Sequence, residues 1–419
     1  MKSFRYLLLL AVLSLSACQK ATVKIDDYKV LISISDGTLS VTPLADDAIR
    51  VQYIPNGIEL PELENLIYTE KQDERACIYK QIGSRVTVSA HGDGLRAVVN
   101  ARTGKITFKD ANGKVILKED VRSVQAGKTG DFNSLSVSQS FKTAPDEFLF
   151  GTGQFQDGYL NIRGLTRRLT QVNTQISIPM IISNKGYGIL WNNYGLTEFN
   201  PSDYMVVLEQ GAGDGTSVTV NATGTAGNVR ERRFFNDFNG EIQVNESGDY
   251  SILLDVGQSM ARKHLLTIDG DTVINANNTW LPPTSSAITH LDKGTHKVFV
   301  SGSRGDKPSV GIRKVTDVTT FSSPVAVALD YTVFAGSADE IVNTYRNLTG
   351  KVPQSLTGHS VTYTAASAMT ARRNSWRTPT ASRMRATTPA LLFRTGSGGA
   401  STAGTPCSST RASTPIQRP

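Results

Sequence analysis

The sequence predicts an all-β protein: an antiparallel β-sandwich with a second β-sandwich inserted into it. Three observations carry this expectation. Short segments that alternate apolar and polar residues recur from residue 19 to about residue 223. Asx-Gly and Lys-Gly pairs punctuate them at hairpin intervals. Near Gly227 the rhythm breaks, and a new set of alternating segments begins after Gly240.

The N-terminus comes first in chain order. Lys2 and Arg5 precede an apolar run from Tyr6 to Leu13, followed by small residues up to Leu15-Ser16-Ala17-Cys18. This is an export signal, and its spacing resembles a bacterial lipoprotein box. In the signal region, residues 1–18, cleavage before Cys18 would then leave Cys18 as the first mature residue, lipidated, with the protein exported and held at a bacterial membrane (outer membrane or periplasm). A cleaved signal with a chance cysteine is the alternative. Cys77 and Cys407 show no metal spacing, and no disulfide is expected.

Strands are expected at Val30–Ile34, Ile49–Tyr53, Arg85–Ser89 and Ala97–Asn100, with hairpin turns at Asp36-Gly37, Asp93-Gly94 and Asn112-Gly113. The stretch from Phe148 to Asn200 is denser in polar and glycine residues. Gly151, Gly153, Gly158 and Gly164 frame a loop that carries Gln154, Asp157, Asn161 and Arg163. Ile176–Ile182 and Tyr187–Trp191, separated by Lys185-Gly186, read as a hairpin. The polar groups either cap turns or bind sugar hydroxyls.

The series Gly151-Thr-Gly-Gln154, Gln156-Asp-Gly158, Asn161, Gly164, Gln171-Val-Asn173, Ile178-Pro179 and Lys185-Gly-Tyr-Gly188 resembles the N-terminal domain of glycoside hydrolase family 31, above all its bacterial α-xylosidases. The resemblance implies a galactose-mutarotase-like sandwich over residues 19–228, completed by residues 319–336. It also implies a loop in which Gln154, Asp157 and Asn161 line a substrate pocket, with an oligosaccharide as partner.

Between these parts, residues 229–318 are expected to form the inserted sandwich, opening with a turn at Phe238-Asn239-Gly240. Its strands are expected at Tyr250–Asp255, Leu265–Ile268, Thr272–Ile274 and His296–Val300. Gly248-Asp-Tyr250, Ile268-Asp-Gly270, Trp280 and Gly294-Thr-His296 resemble the protective-antigen type of lectin-like module. Trp280 either stacks on a sugar or fills the core. Asp269 and Asp271 either help hold a sugar-coordinating calcium ion, for which two carboxylates are few, or simply form a plain hairpin, the reading preferred here. His264, His290 and His296 lack metal-ligand spacing, so no metal and no cofactor is expected.

Val325–Phe334 is expected to return as the last strand of the first sandwich. Residues 337–353 follow as a linker helix, with Ser337 as N-cap and Ile341, Val342 and Tyr345 on one side. In the family this leads into a catalytic (β/α)8 barrel, which takes about 250 residues. Only 66 follow Pro353; about one third are Ser or Thr, and none is acidic. They also hold eight of the 44 basic residues, leaving 36 basic against 37 acidic side chains before them. The formal charge of +7 is thus a property of the tail, and nucleic-acid binding by the body is not expected.

Residues 354–419 read as a disordered basic tail or as an out-of-frame translation. Shifted by one codon position, Thr357 to Ala371 permits Trp-Ala-Leu-Gly-Tyr-Ile-His-Cys-Arg-Glu-Arg-Tyr-Asp-Ser, and Phe393 to Ser401 permits Gln-Asp-Trp-Gln-Trp-Trp-Gly-Lys. Both resemble barrel strands of the α-xylosidases. The barrel is missing as written, and no residue matches either catalytic aspartate. The resemblance therefore implies an inactive fragment of a retaining α-glycosidase. A surface carbohydrate-binding lipoprotein without catalysis is the alternative.

Overall fold

The computed structural model describes residues 22–26, 28–69, 77–90, 94–211, 216–224, 227–276, 281–303 and 305–351. Cys18, Asp93, Trp280, Cys407 and the segment 354–419 lie outside them. Cys77 is half-buried and carries a free thiol.

The first sandwich pairs an eight-stranded sheet with a nine-stranded one. In the first sheet the spatial order is Val23–Asp26, Lys29–Ser33, Gly37–Ala45, Ala48–Pro55, Leu329–Ala335, Tyr187–Trp191, Ile176–Ser183 and Leu149–Gln154. The second sheet runs from Arg167–Leu169 through Thr197–Phe199, Val318–Ala326, Phe132–Lys142 and Val115–Thr129 to the meander between Ile78 and Lys109. All pairings are antiparallel, so alternate residues of each strand point into a shared core. Val30, Ile32, Leu39, Val41, Val86 and Val88 are fully buried there. Trp191 stacks on Phe321 at 5.7 Å and donates its indole N–H to Ser323 Oγ at 3.0 Å, so its polar end is satisfied inside the core.

Two features of this sandwich differ from the expectation. The apolar run Val325–Phe334 is not one strand: the chain leaves one sheet at Ala326 and enters the other at Leu329. Val327 and Ala328 between them are apolar, so no turn residue marks the crossing in the sequence. In the helix Ala338–Thr349, Ile341 is fully buried and Val342 is exposed. Thr344 takes the inner place instead, donating to Asp47 Oδ2 at 2.6 Å. Ser337 and Glu340 form the reciprocal cap that fixes the start of the helix.

The second sandwich sets a four-stranded sheet (Tyr204–Val207, Ser309–Lys314, Gly248–Asp255, Thr284–Leu291) on a sheet containing Glu209–Gln210, Gly227–Val244, Gly294–Ser303, His264–Ile268 and Asp271–Ala276. It has its own core around Ile252, Leu254, Leu266, Val298 and Val300. The chain enters it at Tyr204, ahead of the expected boundary at 229, because Tyr204–Gln210 pairs with strands of the second sandwich. Thr216–Gly224 lies off this path and pairs with Gly227–Val244.

The turn expected at Phe238-Asn239-Gly240 is absent, since the strand runs through it with Gly240 opposite Val298. The glycine answers a packing need: a Cβ there would stand 2.5 Å from the Leu208 side chain. At Asp269-Gly270 both residues have positive φ (53° and 95°), the form that a type I′ hairpin requires. At Asn112-Gly113 only the glycine does, and at Asp36-Gly37 neither.

Candidate functional site

The glycine-framed loop begins on the strand Leu149–Gln154, whose register against Ile176–Ser183 slips between Gly151 and Gly153. A Cβ at Gly151 would stand 2.3 Å from the Met180 carbonyl oxygen, and one at Gly153 2.2 Å from that of Ile176. Their φ values of 128° and 101° add strain for any other residue. Replacing Gly153 by alanine is expected to cost at least about 1–3 kcal/mol, read as a lowered urea midpoint.

Between them Thr152 is fully buried at φ 61°, an uncommon conformation for a β-branched residue. It is held by its hydroxyl, which donates to the Gly151 carbonyl at 2.8 Å and accepts from Arg167 Nη1 at 2.7 Å. Arg167 is the hub of the loop. Its Nε and Nη2 donate to Asp157 Oδ2 and Oδ1 at 2.8 and 2.6 Å, and its guanidinium lies 4.4 Å from the centre of the Phe155 ring. Both partners are withdrawn from water, with side-chain exposures of 3% for Arg167 and 5% for Asp157. Burial lowers the affinity of the Arg167 guanidinium for its proton, and Asp157 opposes that shift.

The sequence-predicted residues thus fall into different settings. Asp157 is committed to Arg167. Asn161 accepts from the Leu149 and Arg163 backbone N–H groups through its Oδ1, at 3.0 and 3.1 Å, and ties the loop back to its strand. Arg163 forms an ion pair with Asp317. Gln154 alone of the three candidate pocket residues is exposed, at the strand end opposite Ile176. Gln156, also exposed, donates to the Thr174 carbonyl at 2.8 Å and keeps its amide oxygen free among the described residues. Ile176 and Ile178 expose apolar surface on the strand paired with this one. An exposed amide beside an apolar strip offers the two kinds of contact a sugar ring uses, hydroxyl partners and a C–H face.

The second sandwich packs on the same loop. The Thr166 backbone N–H donates to Ser251 Oγ at 2.8 Å, its carbonyl accepts from Ser286 Oγ at 2.6 Å, and the Tyr159 hydroxyl accepts from the Ile288 N–H at 2.8 Å. Arg168 joins Asp255 and Glu198. Asp269 accepts from His296 Nδ1 at 2.6 Å and from the Lys297 N–H at 2.8 Å, so its carboxylate serves the hairpin. Among the described residues no group of three or more His, Cys, Asp or Glu side chains could hold a metal ion.

Arg167 and Thr152 hold the loop and were not singled out by the sequence. The signal for Arg167 was an Arg-Arg pair, which gives no partner, and that for Thr152 its place between two glycines.

Residues 38–200 match the Glycosyl hydrolase 31 N-terminal galactose mutarotase-like domain. An α-xylosidase of Saccharolobus solfataricus is 30% identical over 162 residues, 36% of this chain and 22% of that protein. An uncharacterized family 31 glucosidase of Pseudescherichia vulneris is 27% identical over 183 residues, 38% of this chain and 34% of that one. The chain thus spans about a fifth to a third of the length of these curated relatives. Among solved structures, a family 31 α-xylosidase of Xanthomonas citri shares the fold, with a TM-score of 0.61 and 23% identity over 79% of this chain and 40% of that one.

Proposed function

Because residues 38–200 match the Glycosyl hydrolase 31 N-terminal galactose mutarotase-like domain, we propose that this chain is the sugar-binding, non-catalytic part of an exported α-glycosidase. In activity that α-glycosidase is an α-xylosidase acting on oligosaccharides. In this reading Gln154 meets a sugar hydroxyl, while Asp157 and Asn161 hold the loop from which it projects.

One observation supports the inactivity of the chain as written. Retaining glycosidases need two carboxyl groups about 5 Å apart, one to attack and one to move the proton. The only carboxylate of the candidate loop, Asp157, is locked against Arg167. The purified chain is expected to release no more aglycone from an aryl α-xyloside than a denatured control; release above that control overturns the reading. Sequencing of the coding DNA past codon 353 is expected to find the barrel strands in the neighbouring frame.

Binding is tested by calorimetry with xylo-oligosaccharides. Heat is expected from the parent, and Gln154→Ala should weaken affinity about three- to tenfold, the worth of one neutral hydrogen bond. A second reading, a surface carbohydrate-binding lipoprotein that works through the inserted lectin-like module, is supported by the independent core of the second sandwich. It expects loss of heat in Trp280→Ala and none in Gln154→Ala. No heat from the parent removes both. Lipidation at Cys18, with anchoring to the bacterial membrane, belongs to either reading: Cys18→Ala should shift the protein from the membrane to the soluble fraction.

A further inference from the structure

Where the glycine-framed loop meets the second sandwich there is a cavity of about 20 Å³, lined in part by Asp157, Arg167 and Gln175 from the loop side and by His264, Leu281 and Ser286 from the other. His264 is 1% exposed and Gln175 2%, and each carries a buried polar atom without a hydrogen-bond partner: Nε2 of the imidazole and Oε1 of the amide. Both atoms are acceptors. Nε2 has no partner, so the tautomer that places the one ring proton on Nδ1, toward the Pro282 carbonyl, leaves Nε2 as a bare acceptor. The Gln175 amide nitrogen donates to the carbonyl and hydroxyl of Thr170, at 2.9 and 3.4 Å, which leaves only its oxygen.

Two acceptors cannot satisfy one another, so the site calls for a small species with two donors. We propose that this cavity is a binding site for a single internal water molecule, which donates one hydrogen to His264 Nε2 and the other to Gln175 Oε1 and so joins the second sandwich to the loop. The volume is that of roughly one water. The alternatives fit less well: two neutral acceptors disfavour an anion, and the Arg167–Asp157 pair in the same wall brings no net negative charge to hold a metal cation. The bridge ties a strand of the second sandwich, His264–Ile268, to the segment that leads into Ile176–Ser183.

The test uses the whole protein. A crystal structure at a resolution that shows ordered water should place one oxygen roughly 2.7–3.2 Å from both acceptors. Long-range proton–nitrogen NMR of the His264 ring should show the Nδ1–H tautomer with Nε2 unprotonated and hydrogen-bonded. Gln175→Met keeps the length of the side chain and removes the acceptor; occupancy of the water should be lost and the Nε2 resonance should move. A dry cavity, an Nε2–H tautomer, or density at a metal-bond distance of about 2.1 Å overturns the proposal. The parent spectrum decides even if the variant does not fold.

Discussion

Asp157→Ala is expected to lower the unfolding free energy by about 3–5 kcal/mol, a large part of the stability of an ordinary domain. Truncation leaves the Arg167 guanidinium at 3% exposure without its counter-ion. The cost lies less in the lost attraction than in an uncompensated buried charge, which can be relieved only by opening the loop to water. The loss should appear as a lower urea midpoint. The double variant Asp157→Ala/Arg167→Met should recover most of it, because no buried charge remains to be solvated. A single variant within about 0.5 kcal/mol of the parent would show that the pair does not hold the loop.

The second large effect depends on pH. Burial pushes the His264 imidazole down to about 4 from the ordinary 6.5, while its hydrogen bond to the Pro282 carbonyl acts the other way. The unfolded chain therefore binds this proton near pH 6.5, and the folded chain only near pH 4. Stability is full above 6.5 and falls as the pH drops through that window, by about 3 kcal/mol in all. His296 acts in the opposite sense. Its pKa is raised by Asp269 and by the Asp292 carbonyl against the effect of burial, so its contribution is present at low pH and fades as the pH rises through its folded value. Unfolding midpoints measured from pH 7 to pH 4 on the parent, His264→Gln and His296→Gln separate the two. His264→Gln should flatten the fall, and an unchanged slope would assign it to other groups.

The alternation of Arg85–Ser89 and Arg96–Asn100 made their strands legible, because a half-buried antiparallel strand must present every second residue to the core, whereas Tyr187–Trp191, buried on both faces, was legible as a short apolar run. The Lys185-Gly186 and Asp269-Gly270 turns were legible for a different reason: positive φ falls at Gly186, Asp269 and Gly270. What alternation could not reveal is which strand a segment pairs with. Tyr204–Gln210 follows its predecessors with no break in strand-like sequence, yet it pairs with strands of the other sandwich. The candidate site was legible as a glycine-framed polar loop, since Gly151 and Gly153 are forced by the approach of the Met180 and Ile176 carbonyls. The partner of Asp157 was not, because Arg167 lies ten residues on and meets it only through the loop's path.

The strand Leu329–Ala335 lies between Ala48–Pro55 and Tyr187–Trp191, in the middle of its sheet. Until that strand emerges from the ribosome, the two halves of the sheet present facing, unpaired rows of backbone donors and acceptors, and the whole second sandwich must be synthesised before they can be joined. Closure over such a sequence separation is slow. A nascent chain stalled anywhere between Tyr204 and Lys314 would thus offer two adhesive sheet edges at once, and protection during synthesis becomes a requirement of this topology.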